Sequence, residues 1–437
     1  MQLTRLVAIG LTVTALATGC SASGSSSGSS SGATSATGSA GTAGTAASAA
    51  ATATMPADMQ ASFQKVLDDA RTQFGFPGVQ AGVWMPDGTW VGTSGTAGQG
   101  LTTPITPADH TRIGSITKTF TITALLQLAE KGLVSLEDPI SKYVPGMPNG
   151  DTATLGNLAA MTSGIPSYTE NKAFTDALFA NTSKAWTPQQ LVDVVKGEAP
   201  MFAPGTKFYY SNTNTVLLGM VMEQVTGKPM EQIFSEQIFT PLGLTQTSFP
   251  GSSTEIPAPY LRGITVQGQP AGQTADATNW SPTWAFTAGE IISTLDDLRV
   301  WAKALATGQG LLGAEYQQKR LDSLKSTVPP NTPEKTYGLG FGIANGWIGH
   351  TGELPGYNTA AYYNPTNQTT IVVMVNSDIA AANGDNPAPT IFKSLAKIVE
   401  GGGSASPTAA SNSASGSTSG PASGAASGSA SGSATTQ

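Results

Sequence analysis

The stretch RIGSITKTF, Arg112 to Phe120, decides how this chain is read. It sets Lys118 at the head of TFTITALLQLA (119–129), a run with no charge until Glu130. On a 3.6-residue wheel Ile116, Phe120, Ile122, Leu125, Leu126 and Leu128 surround the axis. A helix that is apolar all round belongs in a core. An ammonium buried there is costly unless it is paired or gives up its proton. Ser115 stands one turn earlier on the same face, so the two side chains can meet. A serine hydroxyl becomes a nucleophile only when a neighbour removes its proton. A lysine does this only when neutral, and burial and a helix N-terminus both lower its pKa.

The spacing S-x-x-K alone says little, because it occurs three times: Ser62–Lys65, Ser115–Lys118 and Ser394–Lys397. At the first and third, both residues fall opposite or beside the apolar stripe of their helices, the usual place for lysine. Only Lys118 has apolar neighbours on both sides, Ile122 and Leu125.

Two further triplets carry chemistry. In Tyr210-Ser211-Asn212, a tyrosine beside an ammonium can have its pKa lowered and serve as general base and acid. The Asn212 amide can hold the lysine or a substrate amide. The same Y-x-N spacing recurs at Tyr362–Asn364, where the tyrosine reads as sheet packing. His350-Thr351-Gly352 follows a strand-like stretch, and a glycine on an edge strand lets a substrate backbone pair with it. His110, in ADHTRIGS, reads as structural. With only two histidines and no H-E-x-x-H, a histidine zinc site is excluded, and no cofactor is expected.

Composition sets the boundaries. Residues 6–57 and 401–437 carry no charge and consist largely of Ser, Gly, Ala and Thr outside an apolar stretch near the start. Such segments cannot bury enough apolar surface to offset chain entropy. We read 21–55 as a disordered tether, 56–400 as one folded domain and 401–437 as a disordered tail. Residues 1–20 resemble an export signal: Arg5 is the basic start, and Leu6 to Leu16 is too short to span a bilayer. ATGC resembles a lipobox ending at Cys20, the only cysteine. The expectation is an exported protein, lipid-anchored through Cys20 to the outer face of the bacterial cytoplasmic membrane; the alternative is an ordinary signal peptide. With 28 acids against 21 bases and no basic run, nucleic acid is not a partner.

Periodicity predicts a helix from Pro56 to Phe74 and a hairpin of 79–85 and 89–95. Further helices are expected over 214–225, 230–239, 295–305 and 389–400. Strands are expected at 338–344, 359–364 and 369–375, and 250–283 reads as a long irregular loop. Strands at both chain ends with helices between them predict an α+β fold. One antiparallel sheet, built from both ends and flanked by helices, accompanies a mainly helical lobe.

The three triplets in this order resemble the serine β-lactamase-like family, which includes class C β-lactamases, D-alanyl-D-alanine carboxypeptidases and related esterases. TRIGSITKTFTITALLQLAEKGLVSLEDPISKYVPG, LGNLAAMTSGIPSY and WAFTAGEIISTLDDLRVWAKAL match its phrases, with Met161 where histidine is common. The resemblance implies Ser115 as acylated nucleophile, with Lys118 and Tyr210 sharing its proton. Asn212 would position the ammonium and the substrate amide, and His350, Thr351 and Gly352 would line the opposite wall. The backbone N–H groups of Ser115 and Glu353 would form the oxyanion hole. His350 replaces the lysine usual in β-lactamases, which points instead to a D-alanyl-D-alanine carboxypeptidase or related peptidase of cell-wall peptides. A carboxylesterase is the alternative, followed by a β-lactamase or a non-catalytic envelope-binding lipoprotein. The implied substrate is a small peptide or ester.

Overall fold

The computed structural model describes residues 55–401. The expected signal, Cys20, and all of the tether and tail except Met55 and Gly401 lie outside the described residues. Met55 is buried against the fold, so ordered packing begins one residue before the expected boundary.

A seven-stranded antiparallel sheet forms the centre. Its strands are β1 (Gly78–Met85), β2 (Gly88–Gly95), β3 (Lys335–Tyr337), β4 (Gly342–Ala344), β5 (Trp347–Leu354), β6 (Tyr357–Asn364) and β7 (Thr369–Val375), in the order β2-β1-β7-β6-β5-β4-β3. The two chain ends meet where β1 pairs with β7, Val79 opposite Val375 and Val83 opposite Ile371. Alternation along β7 explains its unbroken apolar run. Ile371, Val373 and Val375 face one layer, and Val372 and Met374 face the other. A strand buried on both faces needs no polar residues.

Helices α1 (Ala57–Phe74) and α6 (Pro387–Val399) cover the first face. They pack Phe63, Leu67, Ile391 and Leu395 against the sheet. The other face meets α2 (Thr117–Glu130), α3 (Asn212–Thr226), α4 (Leu295–Thr307) and the short helices of the lobe, with α5 (Ala314–Asp322) beside them. Every residue of α2 from Thr117 to Ala129 is buried, as its all-round apolar pattern requires. Its threonines stay satisfied by turning hydroxyls onto nearby carbonyls: Thr121 onto Thr287 at 2.8 Å and Thr123 onto Thr119 at 2.7 Å. Phe120 stacks on Trp301 at 3.7 Å, tying α2 to α4.

One local reading changes. The GLGFGIA segment is not one strand. Residues 338–341 leave the sheet between β3 and β4, and Gly340, at φ +84°, packs against Ile122. His350-Thr351-Gly352 follows β4, as read, and itself lies inside β5.

Candidate active site

The other two S-x-x-K pairs are surface features: Lys65 and Lys397 are exposed, and Lys65 pairs with Asp69. Lys118 has no solvent exposure. Its Nζ donates to Ala288 O at 2.6 Å and lies 2.8 Å from Ser115 Oγ. Burial drives its pKa well below the ordinary lysine value, and no carboxylate bonds to it to reverse that. The amine is therefore poised to accept a proton. Ser115 sits in the short 3₁₀ turn Gly114–Ile116 that leads into α2. The N–H groups of such a first turn have no partner within the helix.

Two glycines bring this turn against β5. A Cβ on Gly352 would stand 1.9 Å from Ile113 O, and one on Gly114, at φ +53°, would stand 2.5 Å from Glu353 N. Only hydrogen fits at either position. The backbone that Gly352 admits here is the chain's own Ile113. The contact also sets the backbone N of Glu353 beside the Ser115 turn. Beyond Gly349 no residue of β4 pairs with β5, so the edge from His350 onward faces away from the ladder.

Tyr210 closes the site from above. Lys118 Nζ lies 4.9 Å from its ring centre. Its hydroxyl faces Ser115, which offsets part of the burial effect, but no well-formed hydrogen bond closes between them. The expected lowering of its pKa does not occur. Burial pushes the phenol upward, and the Ser115 hydroxyl offsets only part of that. The two shifts run in opposite senses: burial eases the loss of a proton from Lys118 and hinders it at Tyr210.

Asn212 makes no hydrogen bond to Lys118 among the described residues. Its Nδ2 donates to Thr169 Oγ1 at 2.9 Å, and its backbone N–H donates to Ser167 Oγ. The group that anchors Lys118 is the Ala288 carbonyl, which carries no side-chain signature in the sequence.

His350 points to the Ser115 face and is buried. Its Nδ1–H donates to Thr351 O, so Nε2 is left as an acceptor, and the Tyr337 hydroxyl reaches it at 3.3 Å. Burial holds its pKa down to about 4. Thr351 alternates to the α6 side and lines a separate cavity with Trp347, Tyr362 and Phe392. Tyr362 stacks on Phe392 at 4.3 Å, in keeping with its reading as sheet packing.

Tyr337 was not singled out in the sequence. Its ring meets Tyr210 edge-on at 6.2 Å and His350 at 5.6 Å. Behind it Arg320 is fully buried, its Nε on Leu339 O at 2.8 Å and its guanidinium over Phe341. Among the described residues no cluster could hold a metal ion.

With this geometry in place, the family model described as Beta-lactamase matches residues 63–395 of the chain. The chain belongs to the beta-lactamase family. It is 33% identical to a D-stereospecific amidohydrolase from Streptomyces sp., with a TM-score of 0.69, covering 78% of this chain and 98% of that one. A D-amino acid amidase from Ochrobactrum anthropi, solved with D-phenylalanine, is 25% identical with a TM-score of 0.68, covering 78% and 98%. PbpX of Bacillus subtilis, named for penicillin binding, is 30% identical over 60% of this chain. The chain spans only about three-fifths of PbpX's length (61%). Family membership makes this a beta-lactamase-fold chain of the serine hydrolase type. No described helix is long and apolar enough to cross a membrane.

Proposed function

We propose that this beta-lactamase-family chain is a serine amidase that cleaves small amides, D-amino acid amides foremost, through an acyl-enzyme on Ser115. Esters are the easier substrates of the same machinery. One observation carries the reading. His350 is neutral at physiological pH and already accepts a hydrogen bond from Tyr337. A carboxypeptidase must hold the carboxylate of its leaving residue. Around His350 stand Tyr210 and Tyr337, both kept protonated by burial. Arg320 lies behind Tyr337 and is sealed from solvent. The wall suits an uncharged leaving group better than an anionic one. Similarity to a D-stereospecific amidohydrolase and a D-amino acid amidase supports the same choice.

The steps follow from the geometry. Neutral Lys118 takes the Ser115 proton across 2.8 Å as Oγ attacks the carbonyl carbon. The oxyanion accepts from the N–H groups of Ser115 and Glu353; one such donor is worth about 3–4 kcal/mol in a transition state. Tyr210 passes a proton to the departing nitrogen and is refilled from Lys118. The C–N bond breaks, leaving an ester on Ser115 and free ammonia or amine. Lys118 then takes a proton from a water as its oxygen attacks the ester carbonyl; the bond to Ser115 Oγ breaks, Lys118 returns the proton to Oγ, and the acid leaves. Export and anchoring through Cys20 remain part of the proposal, resting on the pattern of residues 1–20. Intact-mass analysis tests the catalytic reading: D-phenylalanine amide should give D-phenylalanine and a transient adduct on Ser115. Its failure to be hydrolysed, with D-alanine released efficiently from D-Ala-D-Ala peptides, would restore the carboxypeptidase.

A further inference from the structure

Gln127 is the only side-chain amide in α2, and it is 7% exposed. Its Nε2 donates to Leu311 O at 2.9 Å and to Gln237 O at 3.1 Å. Both acceptors are carbonyls, so the amide has one orientation: nitrogen faces them and Oε1 faces away. That oxygen is buried and has no hydrogen-bond partner. Gln237 lies in the π-turn Ser235–Phe239, a rare geometry that often marks a functional place. Its own Oε1 is buried and unpartnered too. Buried acceptors are normally satisfied, so two without donors at one place call for an occupant. Both glutamines line a single cavity of about 630 Å³ at the C-terminal foot of α2, walled by Leu128, Val225 and Leu311. Leu133, 53% exposed, stands at its rim. The volume falls in the range of small-molecule sites. Gln127 follows Lys118 by nine residues, about 14 Å along the helix. The cavity is therefore apart from the active centre, and no residue of that centre lines it.

The rim sets the charge of a ligand. Glu130, Lys131, Lys228 and Glu236 surround the opening, two of each sign. Lys228 pairs with Glu236, and Glu130 Oε1 accepts from Gly313 N at 2.9 Å. The four charges cancel to first order, so neither an anion nor a cation is drawn in. Inside, two amide oxygens need donors and the walls are apolar. A primary carboxamide answers both needs: its NH₂ carries two donors without charge, where a hydroxyl carries one. Its own oxygen can turn to Lys131, which forms no ion pair among the described residues. We propose that this cavity is a second ligand site, for a small uncharged carboxamide on an aromatic or branched apolar body. The site does not depend on which reaction Ser115 performs.

The probe is 4-fluorobenzamide, followed by fluorine NMR on the full chain carrying Ser115→Ala, so that none is consumed. The charged and donor-free analogues are 4-fluorobenzoate and fluorobenzene. The amide should bind with a Kd of about 1 mM or tighter, and at least about fivefold better than either analogue. Gln237→Met keeps the volume and removes an oxygen that has no partner. It should leave stability unchanged and weaken the amide by about fivefold, the scale of one neutral hydrogen bond. Val225→Trp fills the cavity and should abolish binding. Absence of amide binding, or equal affinity for all three probes, overturns the proposal and leaves the glutamine oxygens to buried water. Amide binding that Gln237→Met and Val225→Trp both leave unchanged lies elsewhere on the chain and overturns it as well.

Discussion

The Tyr337 hydroxyl lies 3.3 Å from His350 Nε2, and the other ring nitrogen donates to Thr351 O. The imidazole is thus fixed as one neutral tautomer with its acceptor already used. Tyr337→Phe removes the donor and strands Nε2 in a buried place. Such an orphaned acceptor costs about 1–3 kcal/mol. We expect a loss of stability in that range and a fall in kcat/KM. The nitrogen chemical shifts of His350 should report the lost bond, while its Nδ1–H stays in place.

Neutrality of His350 has a pH signature. A pKa of about 4 when folded, against 6.5 when free, means that the unfolded chain binds the proton first as pH falls. Below 6.5 the unfolded state gains, so stability is lost progressively down to about pH 4, by up to ~3 kcal/mol. Glu290, raised to about 8 by burial, acts in the opposite sense over part of this window. The diagnostic is therefore the difference between wild type and His350→Gln in urea unfolding from pH 7 to 4. Wild type should lose ground relative to the variant as pH falls; parallel curves would mean that His350 titrates normally.

Lys118 is held for chemistry at the expense of packing. Lys118→Met keeps the volume and removes both the base and the buried amine. Turnover should fall by at least about 10³-fold, since general-base and nucleophile activation vanish together. Stability should drop by no more than ~2 kcal/mol, because losing the bond to Ala288 O is offset by ending the amine's desolvation. Rate against pH should show an acid limb set by Lys118, at a pH well below that of an ordinary lysine, and no inflection at the usual histidine pKa.

Gly352→Ala tests the contact that locates the nucleophile. The added Cβ would stand 1.9 Å from Ile113 O and 2.4 Å from Thr359 Oγ1. The backbone must move, and with it the Ser115 turn. We expect a stability loss above about 2 kcal/mol and loss of covalent labelling of Ser115 by a fluorophosphonate.

The sequence speaks clearly where a pattern must be satisfied locally. The all-apolar wheel around Lys118 foretold a core helix, and the run TTIVVMV is β7 from end to end. The Ser115–Lys118 pair was legible because one helical turn dictates it. What the sequence hides depends on long-range contact. Ala288 holds Lys118 through a backbone carbonyl, which any residue would present. Tyr337 looks like one more aromatic before a glycine-rich turn, and Arg320 lies in AEYQQKRLD, which reads as a surface helix. The sequence points to a lowered tyrosine pKa because it shows the neighbouring lysine but not the burial, and the same burial that lowers Lys118 raises the phenol.

The most direct measurement uses two peptides that differ only in the leaving group's carboxylate. Rates of release of the C-terminal residue are compared for D-Ala-D-Ala-NH₂ and D-Ala-D-Ala, with Ser115→Ala as blank. A neutral His350 wall predicts that kcat/KM favours the amide, by about tenfold, the scale of one uncompensated charge. A preference for the free acid would show that a cation grips the leaving carboxylate, and would contradict this account.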